Sequence, residues 1–355
     1  MPEHVAVAMS GGVDSSVSAH LLLEGGFEVV GLFMCSGLVG EPDLPTRVKT
    51  CCAPGDLSDA RRVAHDLGIP FHAVKLGQAF AEIIDYFCGE YLRGRTPNPC
   101  IRCNRQLKFG RLLEEARKLG CNRIATGHYA GCDQVQGRYR LLRGWDSAKD
   151  QSYFLFELSQ EQLEAARFPL AELTKKEVRK IAARLDLHVR DKPESQEVCL
   201  VPDNDYAGLL SRLHPDEIHP GEMVDTAGNV VGRHKGIAFY TIGQRRGLGV
   251  AFGQPRYVVE LDARANRVVV GPVEALLKSE LVAEQVNWVS IAPSESSFEA
   301  RVQIRYRHPG APARLTVRPD GAVHVAFQTP QRAITPGQAA VFYDGNVVLG
   351  GGWIV

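Results

Sequence analysis

The 355-residue sequence contains no run approaching the ~18 consecutive apolar residues of a membrane span, which argues against a transmembrane protein. Its start, MPEHVAVAMSGG, lacks the basic segment and apolar stretch of a secretion signal, so a cytoplasmic protein with no membrane partner is expected. Neither sign of charge is in excess, because 41 Lys and Arg balance 41 Asp and Glu. That excludes a protein whose whole surface grips nucleic acid, yet leaves room for a local basic face, since phosphate contacts need only a cluster of Lys and Arg. No internal repeat or low-complexity tract is present, and 45% hydrophobic with 23% charged residues excludes global disorder. The chain is long enough for two or three domains. Against this background the 9 cysteines stand out. In a reducing compartment they read as reduced, reactive or metal-bound thiols rather than as a disulfide framework.

The first two hundred residues alternate β-branched runs with helical patterns. HVAVAM (4–9), EVVGLFM (28–34), PFHAVKL (70–76) and NRIATGHYA (122–130) read as strands. GGVDSS opens a helix that runs through Val17, Leu21 and Leu22 to Gly25 and Gly26, and SDARRVAHDLG (58–68) is a second, with Ser58 as N-cap and Gly68 as its stop. Strands alternating with helices predict an α/β fold with a parallel sheet, whose ligands sit at the carboxyl ends of the strands. Near Val201 and Pro202 the pattern changes to short Gly- and Pro-dense segments. After about residue 276 it becomes strand–turn–strand: EARVQIRYRH, ARLTVRP, AVHVAFQ and QAAVFYDGNVVLGGGWIV, with a hairpin signal at Asp344-Gly345. The expected architecture is a catalytic domain over 1–202, a small central domain over 203–275 and an all-β, barrel-like domain over 276–355.

SGGVDSS (10–16) follows the first strand and begins the first helix. Its glycines let successive N–H groups form an anion-binding concavity at a helix N-terminus, and Ser10, Ser15 and Ser16 add hydroxyl donors. It is not a Walker A loop, since the Gly-Lys-Ser/Thr ending is missing, and it lacks the third glycine of the dinucleotide fingerprint. A generic Gly-Gly turn with Asp14 as an early helix acid is the plainer alternative; the strand–SGGxDS–helix context favours phosphate.

TPNPCIRCNR (96–105) holds Cys100 and Cys103 as a Cys-x-x-Cys pair, which by itself fits half of a metal site, a redox pair or the housing of a nucleophile. Cys103 stands at the start of a helical pattern, NRQLKFGRLLEEARKLG, with Leu107, Leu112, Leu113 and Ala116 on its apolar side. A helix N-terminus and the neighbouring Arg102 and Arg105 both favour a thiolate.

The phosphate loop resembles the PP-loop of the N-type ATP pyrophosphatases, whose members adenylate a substrate oxygen and release pyrophosphate. Together with TPNPCIRCN, ATGHYA, KDQSYFL (149–155), KPESQEVCLVP (192–202), FYTIGQRRGLG (239–249), IRYRH (304–308) and TPGQAAVFYDGNVVLGGGWI (335–354), it makes essentially the whole chain similar to the tRNA-specific 2-thiouridylase family. The resemblance implies ATP-dependent replacement of the C2 oxygen of the tRNA wobble uridine by sulfur, giving 2-thiouridine, AMP and pyrophosphate. It implies ATP with Mg²⁺, tRNAs for Lys, Glu and Gln as substrates, and a cysteine desulfurase or a sulfur-relay protein as donor. Carried over by motif, Ala8, Met9, Ser10, Gly11, Gly12, Val13, Asp14, Ser15, Met34 and Gly127 would hold ATP. Asn98, Pro99, Cys100, His128, Lys149, Asp150, Gln151, Arg305, Tyr306 and Gln338 would contact tRNA, Asn98 and Pro99 as a wall beside the target base. Cys199 would carry a persulfide, and Cys103 would attack it to leave a Cys103–Cys199 disulfide.

The chain departs from one version of the motif, in which Asp stands at the position of Cys100. With Cys103 and Cys199 it offers three thiols, which would suit a [4Fe–4S] cluster with an open iron. A zinc site would need a fourth ligand, for which the adjacent Cys51 and Cys52 are weak candidates. Persulfide chemistry without a cluster is the favoured expectation. Arg305 and Arg307 on one strand face with Tyr306 opposite would suit phosphate contact and base stacking; RGR (93–95), RCNR (102–105) and QRRG (244–247) could add to a basic footprint. A PP-loop enzyme for a small-molecule carbonyl, or a non-catalytic sensor that binds ATP and RNA, are the competing functions.

Overall fold

The computed structural model describes residues 2–36, 54–193, 199, 201, 205–250, 253–293 and 296–355. Cys51, Cys52, the ESQEV stretch before Cys199, and Pro202 lie outside them. In chain order β1 (His4–Ala8), α1 (Val13–Glu24), β2 (Glu28–Cys35), α2 (Pro54–Asp66), β3 (Phe71–Lys75) and α3 (Gly77–Leu92) alternate as the sequence pattern predicts. Then follow α4 (Pro99–Arg102), a π-helical stretch (Cys103–Arg111) and α5 (Leu112–Lys118), which together make one continuous helix, and β4 (Arg123–Ala125). The hairpin β5 (Ala130–Val135) and β6 (Arg138–Arg143) leads to α6 (Gln160–Ala165), β7 (Ala166–Arg167) and α7 (Lys175–Arg184).

The parallel sheet has the order β3-β2-β1-β4-β7. Val5, Ala6 and Val7 of β1 are fully buried, as a central parallel strand covered on both faces requires. The chain moves from β1 outward on one side to β2 and β3, then returns to add β4 on the other. The crevice at the carboxyl ends of β1 and β4 is therefore the switch point where such sheets bind ligands. α1 ends at Gly25 as expected, whereas the described part of α2 already includes Pro54, four residues before Ser58. Ser58 therefore falls inside the helix rather than at its N-cap.

The central unit comprises α8 (Tyr206–Leu213) and the strands β8 (Gly221–Asp225), β9 (Val230–His234), β10 (Tyr257–Asp262) and β11 (Arg267–Gly271), ordered β10-β11-β8-β9. Its own core is built on Met223, Val258, Val268 and Val270, while Leu209, Leu210 and Ala238 pack on Ile84, Phe87 and Cys88 of α3.

The last strands are β12 (Leu277–Asn287), β13 (Phe298–Gln303), β14 (Ala311–Val317), β15 (Val323–Arg332), β16 (Ala339–Asp344) and β17 (Val347–Ile354). Pairing of β12 with β17 closes them into an antiparallel barrel, as expected from the sequence. The β5–β6 hairpin of the first domain joins the same sheet, with Leu142 opposite Val347 and Leu141 opposite Val348. In the β16–β17 hairpin Asp344 pairs with Val347, so Gly345 (φ +55°) and Asn346 form the loop, one residue later than the Asp-Gly pair suggests. β13 stops at Gln303, so Arg305 and Tyr306 do not alternate across a strand. The Gln303 amide donates to the Tyr306 carbonyl at 2.5 Å and the Arg305 carbonyl accepts from the His308 N–H at 3.0 Å, which turns the chain there.

Candidate active site

The glycine-rich loop lies at the carboxyl end of β1. Gly11 has φ +70°, and a Cβ there would stand 2.3 Å from the Asp56 carbonyl oxygen, so this turn requires glycine. Gly12 caps α1 without a side chain, which leaves the first N–H groups of the helix turned to whatever anion the loop receives. The Ser15 hydroxyl accepts from the Ser10 N–H at 3.1 Å and holds the loop's curvature. Ser16 does not serve as a loop donor: it is fully buried and its hydroxyl donates to the Gly12 carbonyl at 2.8 Å. Ala8 ends β1, and Met9 and Val13 are buried, so what these two offer a nucleotide is their backbone. Met34 lies near the end of β2, half-buried.

Two lysines that the sequence reading passed over fix this loop. Lys175, buried at 8% exposure, donates to both carboxylate oxygens of Asp14 at 2.6 and 2.7 Å, and the Tyr129 hydroxyl donates to the same carboxylate at 2.9 Å. Lys192 donates to the Gly11 carbonyl at 2.9 Å and to Asp56 and Asp59 at 2.6 Å each. Burial works against the Lys192 ammonium, but its hydrogen bonds to the two aspartates outweigh that and hold its pKa above the usual lysine value.

Beside the loop, β4 stops at Ala125, short of the strand expected over 122–130, and Thr126-Gly127-His128 follow it directly. A Cβ on Gly127 would lie 2.9 Å from the Asp14 carbonyl carbon and the Ser15 nitrogen, so glycine is what lets this strand end meet the phosphate loop. His128 is buried, with Nδ1 2.7 Å from the Thr126 hydroxyl and Nε2 3.3 Å from the Lys108 ammonium. Burial first, and Lys108 second, hold its pKa well below the ordinary imidazole range, so the ring is neutral.

Lys108 belongs to the same continuous helix as Cys100 and Cys103. The helix that carries them starts at Pro99, with the pre-proline Asn98 extended (φ −124°, ψ 85°), so Cys100 and not Cys103 stands in its first turn. Cys103 is buried and opens the π-helical stretch. Two contacts tie this stretch to its surroundings: its own Asn104 amide donates to the Phe154 carbonyl at 3.0 Å, and the Gln162 amide donates to the carbonyls of Arg105 (2.8 Å) and Phe109 (3.0 Å). Wide turns of this kind concentrate at functional sites. Burial pushes the Cys100 thiol up to about 12; the nearby Cys199 thiol adds to the rise and Lys108 opposes it. Cys100 thus lies within electrostatic reach of both.

Arg102 does not serve the thiols. Its guanidinium pairs with the buried Glu157 at 3.1 Å and lies over the Trp353 and Tyr86 rings at 4.8 and 5.4 Å. The Trp353 indole N–H donates to the same carboxylate at 2.8 Å, so this cation joins the thiol helix to the barrel. Arg105 is exposed, 3.9 Å from Glu157. Among the described residues no three His, Cys, Asp or Glu side chains converge to hold a metal ion. Cys100, Cys103 and Cys199 do not form such a group.

The other candidates for tRNA contact are each held by neighbouring groups of the protein. Asp150 is buried, its carboxylate accepting from Arg143 (2.6 Å), the Gly144 N–H (3.1 Å) and the Ser152 N–H (3.0 Å). Gln151 clasps Tyr129 through both backbone and side chain (2.8 and 3.0 Å), and Lys149 is half-buried on the preceding turn. The Tyr306 ring packs 4.4 Å from Phe154, and exposed Arg305 donates to the Arg332 carbonyl at 3.2 Å. Asn98 and Pro99 are buried behind Cys100. Lys108, Lys175 and Lys192 are the additions the sequence reading missed. For Lys175 a signal existed: Thr174 and Glu177 form a capping box, which puts this lysine in a helix's first turn, against the macrodipole.

A parallel-sheet domain with a strand–SGGxDS–helix loop, followed by a small β domain and a closing barrel, defines a three-part α/β protein built on a glycine-rich anion-binding loop. A model of the tRNA methyl transferase HUP domain matches residues 3–203, that family's PRC-barrel domain matches 209–272, and the aminomethyltransferase β-barrel domain matches 278–354. Curated relatives named tRNA-specific 2-thiouridylase MnmA match almost end to end. The one from Heliobacterium modesticaldum is 51% identical, over 100% of this chain and 93% of its own. The one from Magnetococcus marinus is 49% identical over 100% and 99%, and that from Geobacter metallireducens is 51% identical over 99% and 96%. The chain belongs to the tRNA-specific 2-thiouridylase family.

Proposed function

We propose that this protein is a transferase that 2-thiolates the wobble uridine of tRNA, with ATP as activating substrate and a cysteine persulfide as sulfur source. The observation that carries the reading is the strand end Gly127-His128: Gly127 touches the phosphate loop at Asp14 and Ser15, and His128 contacts Lys108, which faces Cys100. A nucleotide and a reactive sulfur would meet there.

A urea-like carbonyl oxygen is a poor leaving group, so the uridine is first activated. The C2 oxygen attacks the α-phosphorus of ATP, the bond to the β-phosphate oxygen breaks, pyrophosphate leaves, and N3 gives up its proton. The loop N–H groups and the α1 N-terminus bind the phosphates. Mg²⁺ bound with the nucleotide would offset the phosphate charge, and Asp14, on the loop itself, would be the carboxylate to hold it, sharing oxygens that accept from Lys175 and Tyr129. The terminal sulfur of a Cys199 persulfide then attacks C2, and the C2–O bond breaks with its electron pair leaving on AMP. Cys103 attacks the Cys199 sulfur and breaks the S–S bond. The released sulfur stays on C2, a proton returns to N3, and a Cys103–Cys199 disulfide remains for an external dithiol to reduce. Asn98 and Pro99 would flank the base, and His128, Lys149 to Gln151, Arg305, Tyr306 and Gln338 line the approach of tRNA. The tRNAs for Lys, Glu and Gln are the expected substrates, and a cysteine desulfurase or sulfur-relay partner in the cytoplasm would load Cys199 with its persulfide sulfur.

The test is tRNA-dependent formation of AMP and pyrophosphate together with 2-thiouridine. Cys103→Ala and Cys199→Ala are each expected to abolish thiouridine. Thiolation surviving both substitutions would overturn the mechanism, and ATP binding without AMP formation would point to a sensor.

A further inference from the structure

We propose that Lys108 supplies the positive charge that holds the transferring sulfur as an anion beside Cys100 and Cys199, with His128 and Thr126 as positioning residues that aim it. The inference rests on the thiolation reading above. Three observations meet at this lysine.

Lys108 is half-buried, and among the described residues its polar partner is His128 rather than a carboxylate. Lys175 and Lys192, by contrast, are locked to Asp14 and to Asp56 and Asp59. A partly desolvated ammonium without a counter-ion is unfavourable until an anion arrives, which is the property of a site whose charge is completed by its substrate.

The second observation is the direction of the hydrogen-bond chain. An ammonium can only donate, so His128 Nε2 must accept from it; Nδ1 then carries the ring proton and donates to the Thr126 hydroxyl at 2.7 Å. His128 therefore shares none of the charge. It fixes where the ammonium points, and it does so from the strand end that touches the phosphate loop.

The third is the π-helical stretch. Lys108 is the fifth residue after Cys103. In an α-helix five residues are about 140° out of phase, whereas in a π-helix the fifth residue is the hydrogen-bonding partner one turn on. The wide turn thus brings Lys108 round toward the side of the helix that carries the thiol, and at Cys100, where burial raises the pKa, Lys108 acts in the opposite direction. In the transfer step negative charge passes from the persulfide sulfur to the departing AMP oxygen, and at disulfide formation the charge of the Cys103 thiolate passes to the sulfur left on C2. Lys108 would stabilise the sulfur anion at both ends of that sequence.

The experiment separates activation from transfer in the full-length enzyme, preloaded with persulfide by a cysteine desulfurase and given unmodified tRNA and ATP. Lys108→Gln is expected to release pyrophosphate within about twofold of wild type while single-turnover thiouridine formation falls on the order of ten- to a hundredfold, the range for losing one charge-assisted contact. Lys108→Arg should recover part of the loss. Thiouridine formed by Lys108→Gln at the wild-type rate, or both steps falling by the same factor, overturns the proposal. Should that variant fail to fold, Thr126→Val leaves the lysine in place and loosens its aim; the same split to a smaller degree is expected, and no split overturns the idea. Wild-type protein that made neither pyrophosphate nor thiouridine would sink the thiolation reading itself.

Discussion

Gln338, in the loop entering β16, donates its amide to the carbonyls of Thr96 (3.1 Å) and Pro97 (3.2 Å) in the segment that leads to Cys100. The Thr96 N–H donates to Pro336 at 2.8 Å, and a Cβ on Gly337 would meet the Thr96 carbonyl oxygen at 2.8 Å. The barrel thus grips the thiol-bearing segment by its backbone. Gln338→Ala leaves two carbonyls short of a donor and should cost about 1–2 kcal/mol, read as a lower urea midpoint. An unchanged midpoint with weaker tRNA binding would instead assign the amide to the RNA.

Gly127→Ala tests the contact between β4 and the phosphate loop. The added methyl would overlap Asp14 and Ser15 backbone atoms, which cannot swing aside as a side chain would. A loss of about 1–3 kcal/mol is expected for such overpacking. It should appear chiefly as weaker ATP binding by calorimetry, with tRNA affinity retained; equal loss of both would mean a global effect.

The Arg102–Glu157 pair is the third target. Glu157 is 4% exposed and is shared by Arg102 and the Trp353 indole. Glu157→Gln leaves the guanidinium without its counter-charge and should destabilise by about 3–5 kcal/mol. Arg102→Met combined with Glu157→Gln should be less damaging than the sum of the single changes, and strict additivity in denaturation would show that the pair is not coupled.

Stability should also fall on mild acidification. Burial depresses the pKa values of His128, His234 and His308 below the ordinary imidazole value. Below about pH 6.5 the unfolded chain binds protons that the folded protein refuses, so stability declines as pH falls from there toward the depressed folded values. Each histidine adds at most about 1.4 kcal/mol per pH unit. His128→Gln should flatten the slope of denaturation midpoint against pH between 6.5 and 5; an identical slope would show that His128 takes up its proton in the folded state.

The phosphate loop could be read directly because glycines and a strand–helix junction are local features: Gly11 and Gly12 do in space what their neighbours in sequence imply. The apolar stripe Leu107, Leu112, Leu113 and Ala116 was equally legible, and all four are buried. Lys108 was not, because stripe reading assumes one helical period and Cys103–Arg111 departs from it. Lys175 and Lys192 reach Asp14 and Gly11 across more than a hundred residues, a relation fixed by sheet order rather than by spacing. Arg102 misled for the same reason. Beside a cysteine it looks like a partner for the thiol, and only the fold reveals a buried carboxylate and two aromatic rings on its other side.

The hairpin β5–β6 belongs by sequence to the first domain and by hydrogen bonding to the barrel, where Leu142 meets Val347. A growing chain exposes that hairpin edge long before its partner exists. At about 5–20 residues per second, the roughly two hundred residues in between take on the order of 10–40 s to emerge from the ribosome. Loss of even the final strand would leave that edge open for good, so truncated products of this gene should be the ones that aggregate and are cleared.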